Sequence, residues 1–461
     1  MSFEEVCRRV EAAFERDWQA AGEMARMERL EREKRAIMGY EDETLWYKER
    51  IGQIIEDEGL QGAEVPQWYK GLKEGVFHEL YGLAGLAPWA YDETEEYRLS
   101  SSAKIIGDRL YCLINGVSVL QPQRIESRRR EQLKRALLLA TPRERLETGF
   151  HEIYLRNGIR ITIYSGERTK EGQDVMVFRK YILQELSFEE IAKMGTIPYE
   201  AIPLFKSMIR IGFNVIFAGP VRCGKTTFMQ VWQSFEDPCL EGLAISTDPE
   251  TPWHKIMPDA PIMQLVADGQ QLETITRSLL RGDNDYVLME EMRDAQAYNL
   301  ALEITSTGTR RCKATVHTDD PVNMPFTMAS RIRSKYGGDL QGIILQIFRN
   351  FNYIFEFRSM ESDRSRKILD AVWEYGFDDS LQCPVTYPIC RYMAESGTWI
   401  WNYHIGDDKK KAGSLRPADL QEMEDIMKEL ARRNPMTECC PVYPRYYRPA
   451  SAENPERRFY D

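Results

Sequence analysis

Between residues 2 and 38 the chain has no proline, and Phe3, Val6, Val10, Phe14, Trp18, Met24, Met27 and Leu30 recur mostly at three- or four-residue steps among charged positions. This spacing predicts one long amphipathic helix, docked on a partner or on its own protein. From about 46 to 200 the pattern is mixed. Leu110–Ile114 and Ile159–Tyr164 have strand character, and 124–140 reads as a helix with a basic first half. From about 201 to 375, short apolar runs alternate with helical periodicity, as in a parallel α/β sheet. The strand candidates there are Val215–Ala218, Leu243–Thr247, Tyr286–Met289 and Ala314–His317. Asn352–Phe357 and Lys367–Tyr375 then look like a hairpin joined by the polar turn Glu361-Ser362-Asp363-Arg364. After 376 short segments precede a helix at about 417–432 with Leu420, Met423, Ile426, Met427 and Leu430 on one face. The last 28 residues hold five prolines and are expected to be a disordered tail.

A chain of 461 residues is long enough for two or three domains. The division expected from these patterns is a helical extension over 1–45, an α+β domain over 46–200, an α/β domain over 201–375, a mainly helical region over 376–433 and a tail over 434–461. The net charge of −11 argues against non-specific or stable binding to nucleic-acid phosphates. The basic run Arg128, Arg129, Arg130, Lys134 and Arg135 reads as a solvated helix face, with nucleic acid or acidic lipid as the alternative. No stretch of eighteen apolar residues predicts a transmembrane helix, and the acidic start Met1-Ser2-Phe3-Glu4-Glu5 lacks the apolar core of a secretory signal. Nine scattered cysteines read as reduced thiols in a cytoplasmic protein. Cys383 and Cys390 read as buried thiols, a shared metal being the alternative.

The strongest chemical signal is Gly219-Pro220-Val221-Arg222-Cys223-Gly224-Lys225-Thr226-Thr227, a full G-x-x-x-x-G-K-[ST] loop between a strand pattern and a helix pattern. Its glycines let backbone N–H groups close around phosphate oxygens, and the helix N-terminus adds partial positive charge. Lys225 is placed to reach the β- and γ-phosphates of a nucleotide and the Thr226 hydroxyl to ligate Mg²⁺. ATP and Mg²⁺ are therefore the expected cofactors.

Hydrolysis also needs carboxylates that hold the metal and orient water. In Asp285-Tyr286-Val287-Leu288-Met289-Glu290-Glu291-Met292-Arg293-Asp294, four apolar positions followed by two acids fit a buried strand presenting carboxylates at its carboxyl end. Ile245-Ser246-Thr247-Asp248-Pro249-Glu250 places two more acids just past a strand, and Ala314-Thr315-Val316-His317-Thr318 ends another strand with a histidine.

Taken in order with Leu280-Arg281, Asp283, Asp285, Glu291-Met292-Arg293-Asp294 and Thr307-Gly308, these motifs resemble the type II/type IV secretion ATPase family of hexameric traffic ATPases. Arg179-Lys180-Tyr181 and Leu186-Ser187-Phe188-Glu189-Glu190 resemble that family's upstream segments, best in the branch serving Tad-type pili and conjugation. The resemblance is strong over about 145–375 and weak over about 75–145. It implies a RecA-like P-loop NTPase core with a mixed α+β N-terminal domain and helical extensions. It further implies Glu291 as the carboxylate that polarises water, with Thr226 and Glu291 at the metal. Asp248 and Glu250 would form an acidic box, His317 would sense the γ-phosphate or couple subunits, and Arg179 would reach phosphate charge from the N-terminal domain in the assembled ring. Glu290 departs from the family's usual glycine, and Thr247 replaces the first acid of its box. The family's four-cysteine zinc insert is absent.

The resemblance implies a homo-hexameric, cytoplasmic ATP hydrolase driving secretion, pilus assembly or conjugative transfer. It would associate peripherally with the inner face of the membrane through inner-membrane platform proteins. The alternatives are a nucleic-acid motor on the same core and a nucleotide-dependent scaffold with little hydrolysis.

Overall fold

The computed structural model describes residues 1–461 apart from 22, 141–149, 183–185, 248–250, 268, 280, 281, 283 and 445–461. The chain forms two compact units, Met1–Leu183 and Gln184–Asp461. This division precedes the expected boundary at 200, because Phe188, Ile191 and Ile197 pack into the core of the second unit.

In the first unit, helices Phe3–Ala21 and Glu23–Met38 replace the single long helix expected. Val10 and Ala36 belong to one apolar cluster with Tyr47, Phe77 and Tyr81. A straight helix would hold positions 10 and 36 about 39 Å apart at 1.5 Å per residue, so the segment must double back. The Arg29–Glu15 ion pair at 2.6 Å links the two helices. Six strands follow among the described residues: β1 (Ser102–Ile106), β2 (Arg109–Ile114), β3 (Val117–Arg124), β4 (Phe150–Tyr154), β5 (Arg160–Tyr164) and β6 (Val175–Arg179). They form one antiparallel sheet in the order β3-β2-β1-β6-β5-β4.

The basic run on the helix Ser127–Ala140 is a solvated face only in part: Arg128 and Arg135 are exposed, while the other three are buried or half-buried. Arg129 and Arg130 are buried. Arg129 donates to the carbonyls of Gly82 at 2.5 Å and His78 at 3.3 Å. Lys134 pairs with Glu131 and Asp174, and Arg128 with Glu11.

Among the described residues the second unit is built on nine strands: β7 (Val215–Ala218), β8 (Gly242–Ser246), β9 (Ile262–Val266), β10 (Tyr286–Met292), β11 (Lys313–Val316), β12 (Tyr353–Ser359), β13 (Lys367–Asp378), β14 (Cys383–Met393) and β15 (Thr398–Trp401). Their order is β15-β14-β13-β12-β7-β11-β10-β8-β9. Strands β12 to β9 along this order are parallel, and β12 to β15 form an antiparallel extension. Both faces of the parallel part are covered, as a parallel sheet requires. On β7, Val215 and Phe217 join the core containing the helices Ile202–Ile211, Lys225–Ser234 and Pro417–Arg433. Ile216 and Ala218 join the opposite core with Ala295–Ser306, Met324–Tyr336 and Leu340–Asn350. The unit is thus an α/β, RecA-like P-loop core, with β11 inserted between the phosphate-loop strand β7 and the acidic strand β10.

Two further expectations change. The stretch after 376 is not mainly helical, since β14 and β15 extend the sheet before the helices Asp407–Gly413 and Pro417–Arg433. Asp378 makes the β13–β14 turn by accepting from the backbone N–H groups of Ser380 and Leu381. The tail is ordered as far as Pro444, because Pro435 bridges Trp401, Val442 bridges Thr386, and the Tyr443 hydroxyl donates to Asp378 at 2.8 Å. The rest of the tail lies outside the described residues. Cys383 and Cys390 pack in different apolar clusters, which removes the shared-metal alternative.

Candidate nucleotide site

The ends of β7, β11 and β10 lie side by side, and open α/β sheets bind ligands at such carboxyl ends. After Ala218 the chain turns at Gly219, whose φ is 141°. A Cβ there would lie 2.1 Å from the Phe357 carbonyl oxygen on β12 and 2.8 Å from Cys223 Sγ, so only glycine fits. Arg222 and Gly224 also have positive φ, 65° and 92°, before the helix Lys225–Ser234 begins. Such alternation turns successive backbone N–H groups toward one concavity, and the helix N-terminus reinforces its preference for anions. Pro220, Val221 and Arg222 are exposed at the loop tip, while Cys223 is buried beneath it. Thr226 and Thr227 occupy the first helical turn.

Lys225 is buried, and its ammonium donates to the carbonyls of Gly219 at 2.9 Å and Pro220 at 2.7 Å. Burial lowers its pKa, opposed by Cys223 and by the charge of Glu291. Its Nζ also stands 3.1 Å from His317 Nδ1.

Strand β10 carries a bulge against β11, between Met289 opposite Ala314 and Met292 opposite Val316. Glu291 occupies it with φ 61°, a left-handed conformation rare for a residue with a side chain. Its N–H donates to Thr315 Oγ1 at 2.8 Å. One carboxylate oxygen meets His317 Nε2 at 2.6 Å and the other Arg293 Nη2 at 2.5 Å. Lys225 and Glu291 therefore contact opposite nitrogens of one imidazole ring. Burial raises the Glu291 pKa, but hydrogen bonds and charge from His317 and Arg293 outweigh it and hold the carboxyl at about 2. The three strand ends therefore share one continuous polar chain: Lys225, His317, Glu291, Arg293.

Beside this chain, Thr226, Ser246, Thr247, Thr251, Glu290, Glu291 and Thr315 line one small cavity. The side chains offered are hydroxyls and carboxylates, the all-oxygen chemistry that suits Mg²⁺. A more open depression lined by Ala295, Ser330, Arg331, Ser334 and Lys335 includes no phosphate-loop residue.

The structure thus brings together Lys225, Thr226, Glu291 and His317 of the expected set. Asp248 and Glu250, with Leu280, Arg281 and Asp283, lie outside the described residues. Arg179 ends β6 in the first unit, where it is exposed. The sequence singled out no role for Thr315 or Arg293, although both sit inside matched motifs. Nor did it single out Trp253, whose indole N–H donates to Glu290.

Residues 169–331 match the Type II/IV secretion system protein family. An uncharacterised protein of Bacillus anthracis is 22% identical over 205 residues, which is 43% of this chain and 45% of that relative. The chain therefore spans less than half of that relative's length. Among solved structures, the VirB11 ATPase of the Brucella suis type IV secretion system, in complex with sulphate, is 16% identical with a TM-score of 0.33, over 63% of this chain and 95% of its own. The Legionella pneumophila ATPase DotB is 14% identical with a TM-score of 0.44, over 80% and 90%. The pilus retraction motor PilT with bound ADP is 14% identical with a TM-score of 0.44, over 74% and 91%.

Proposed function

We propose, for a chain whose residues 169–331 belong to the Type II/IV secretion system protein family, that it hydrolyses ATP to power a secretion, pilus-assembly or conjugative transfer machine. The observation that carries this reading is the hydrogen-bonded chain from Lys225 through His317 to Glu291, joining the phosphate loop to the acid of β10.

The loop Gly219–Thr227 binds the triphosphate through its backbone N–H groups. Lys225 exchanges its bonds to the Gly219 and Pro220 carbonyls for phosphate oxygens. Thr226 and Glu291 would hold Mg²⁺, which when bound would offset charge on the phosphates. Glu291 orients the attacking water, and His317 carries the state of the γ-phosphate to it. Arg293 holds the second oxygen of Glu291 until nucleotide arrives. Asp248 and Glu250 act as a modified acidic box, and Arg179 supplies positive charge from the first unit of an assembled homo-hexamer. The ring works in the cytoplasm against inner-membrane platform proteins, in a machine of the Tad-pilus or conjugation type. No helix among the described residues is long and apolar enough to cross a membrane.

Steady-state phosphate release tests this. Lys225→Ala should lower turnover by at least about a hundredfold with the fold retained, the scale of losing one preorganised charge donor. Unchanged turnover refutes the site. Arg179→Ala should reduce turnover only in assembled protein, and an equal loss in verified monomers removes its inter-subunit role. One observation favours a nucleotide-dependent scaffold instead: both carboxylate oxygens of Glu291 are already engaged. That reading predicts negligible phosphate release by the parent itself.

A further inference from the structure

We propose that Glu290 and Thr251 hold metal-bound water opposite Thr226, with Trp253 as the residue that positions Glu290; this rests on the nucleotide reading above. The resemblance assigned the metal to Thr226 and Glu291 and gave Glu290 no role.

The pleat of β10 separates the two glutamates. Tyr286 and Leu288 face the core that contains Phe228 and Trp232 of the phosphate-loop helix, together with Trp253. Val287 and Met289 face the opposite core, and Met292 returns to it after the bulge. Side chains alternate along a strand, so Glu290, level with Ser246 of β8, falls on the side of the phosphate-loop helix. Glu291, displaced by the bulge, turns to His317 and Arg293 instead. Both acids and Thr226 border the same cavity, yet they approach it from different faces of the strand.

Two neighbours fix the donors on the Glu290 side. The Trp253 ring is fully buried, and its indole N–H is spent on a Glu290 carboxylate oxygen. A rigid indole locked in the core restricts that carboxylate to a narrow set of rotamers. Thr251 is 3% exposed, lines the cavity, and its hydroxyl finds no hydrogen-bond partner among the described residues. Its carbonyl accepts from Gln264 Nε2 on β9 at 2.8 Å and from the Trp253 N–H at 3.0 Å, so its backbone is pinned. A buried hydroxyl left without a partner is costly, and a bound water would relieve it. Mg²⁺ usually keeps several of its waters, and an outer carboxylate and hydroxyl are suited to accept their protons.

The test uses the full chain with Mn²⁺ as the probe. Free Mn²⁺ is followed by electron paramagnetic resonance in the presence of a non-hydrolysable ATP analogue, and analogue affinity is measured separately in EDTA. Glu290→Gln should raise the half-saturating Mn²⁺ about tenfold, the scale of lost outer-shell support, with affinity in EDTA unchanged. Trp253→Phe and Thr251→Val should each raise it by a smaller factor, and Thr251→Ser should restore the parental value. Should Trp253→Phe fail to fold, the Glu290 and Thr251 variants carry the test. A parental Mn²⁺ midpoint in Glu290→Gln, with a raised one in Glu291→Gln, overturns the assignment while leaving the nucleotide site standing. A parent that binds no analogue under either condition overturns both.

Discussion

Replacing Glu291 by glutamine removes a charge that the fold has arranged to keep. The carboxyl is held at about 2, against 4.5 when free, by His317 and Arg293 acting against its burial. That interval corresponds to about 3 kcal/mol of folded-state stabilisation at neutral pH. Its side chain is 22% exposed, and glutamine retains part of the hydrogen bonding, so we expect a loss of about 2 kcal/mol. The sign follows from the depression. The contribution is complete above the free value and fades as pH falls toward about 2. Parent and variant should therefore differ by about 2 kcal/mol at pH 7 and by visibly less at pH 3.5, read from urea unfolding of the unit that carries Glu291. In parallel, ATP should still bind, with phosphate release slower by about a hundredfold or more. Equal stability of the two proteins at pH 7 would refute the ion-paired geometry. Near-parental turnover in the variant would move the water-orienting role to another acid.

Gly219→Ala should lower the melting temperature by the equivalent of about 2 kcal/mol or more and abolish nucleotide binding, because its Cβ would meet the Phe357 carbonyl. Calorimetry and a fluorescent-nucleotide titration check both. Glu374 is fully buried on β13, accepting from the Tyr353 hydroxyl at 2.8 Å and the Gly406 N–H at 2.9 Å. Burial, only partly offset by Lys409 and these hydrogen bonds, raises its pKa to about 7. The folded state then retains a proton that the unfolded chain releases, so stability declines as pH rises from about 4.5 to about 7. Glu374→Gln should remove about 2 kcal/mol of the difference in unfolding free energy between pH 5.5 and 7.5, and an unaltered pH slope would exclude the buried acid as its source.

The phosphate loop was legible because its chemistry is local: backbone freedom at Gly219 and Gly224, then a lysine and a hydroxyl, lie within nine consecutive positions. The apolar run 286–289 and the segment ending in His317 were equally readable, since parallel strands buried on both faces advertise themselves by composition. Strand β9 went unassigned although four of its five residues are apolar; its place at the sheet edge, with Met263 and Val266 exposed, is set by topology and not by composition. Strands β14 and β15 were absorbed into an expected helical region because the helix Pro417–Arg433 dominated the periodicity of that stretch. The buried role of Arg129 was hidden by its basic neighbours. The Trp253–Glu290 contact was beyond reach for a different reason. It links positions 37 apart in the chain, through a one-turn helix whose placement is decided by packing.

The carbonyl of Phe357 stands directly behind Gly219, so the turn proposed to receive phosphate has a rigid wall at its back. That wall belongs to β12, the first strand of the antiparallel extension that continues through β13 and β14 to β15. A recoil of the turn toward that side would have to push four strands at once. Under the proposed function, motion of the turn on nucleotide exchange would be directed forward, into the short span Arg222–Lys225, with the strands beyond acting as an anvil and not as a spring.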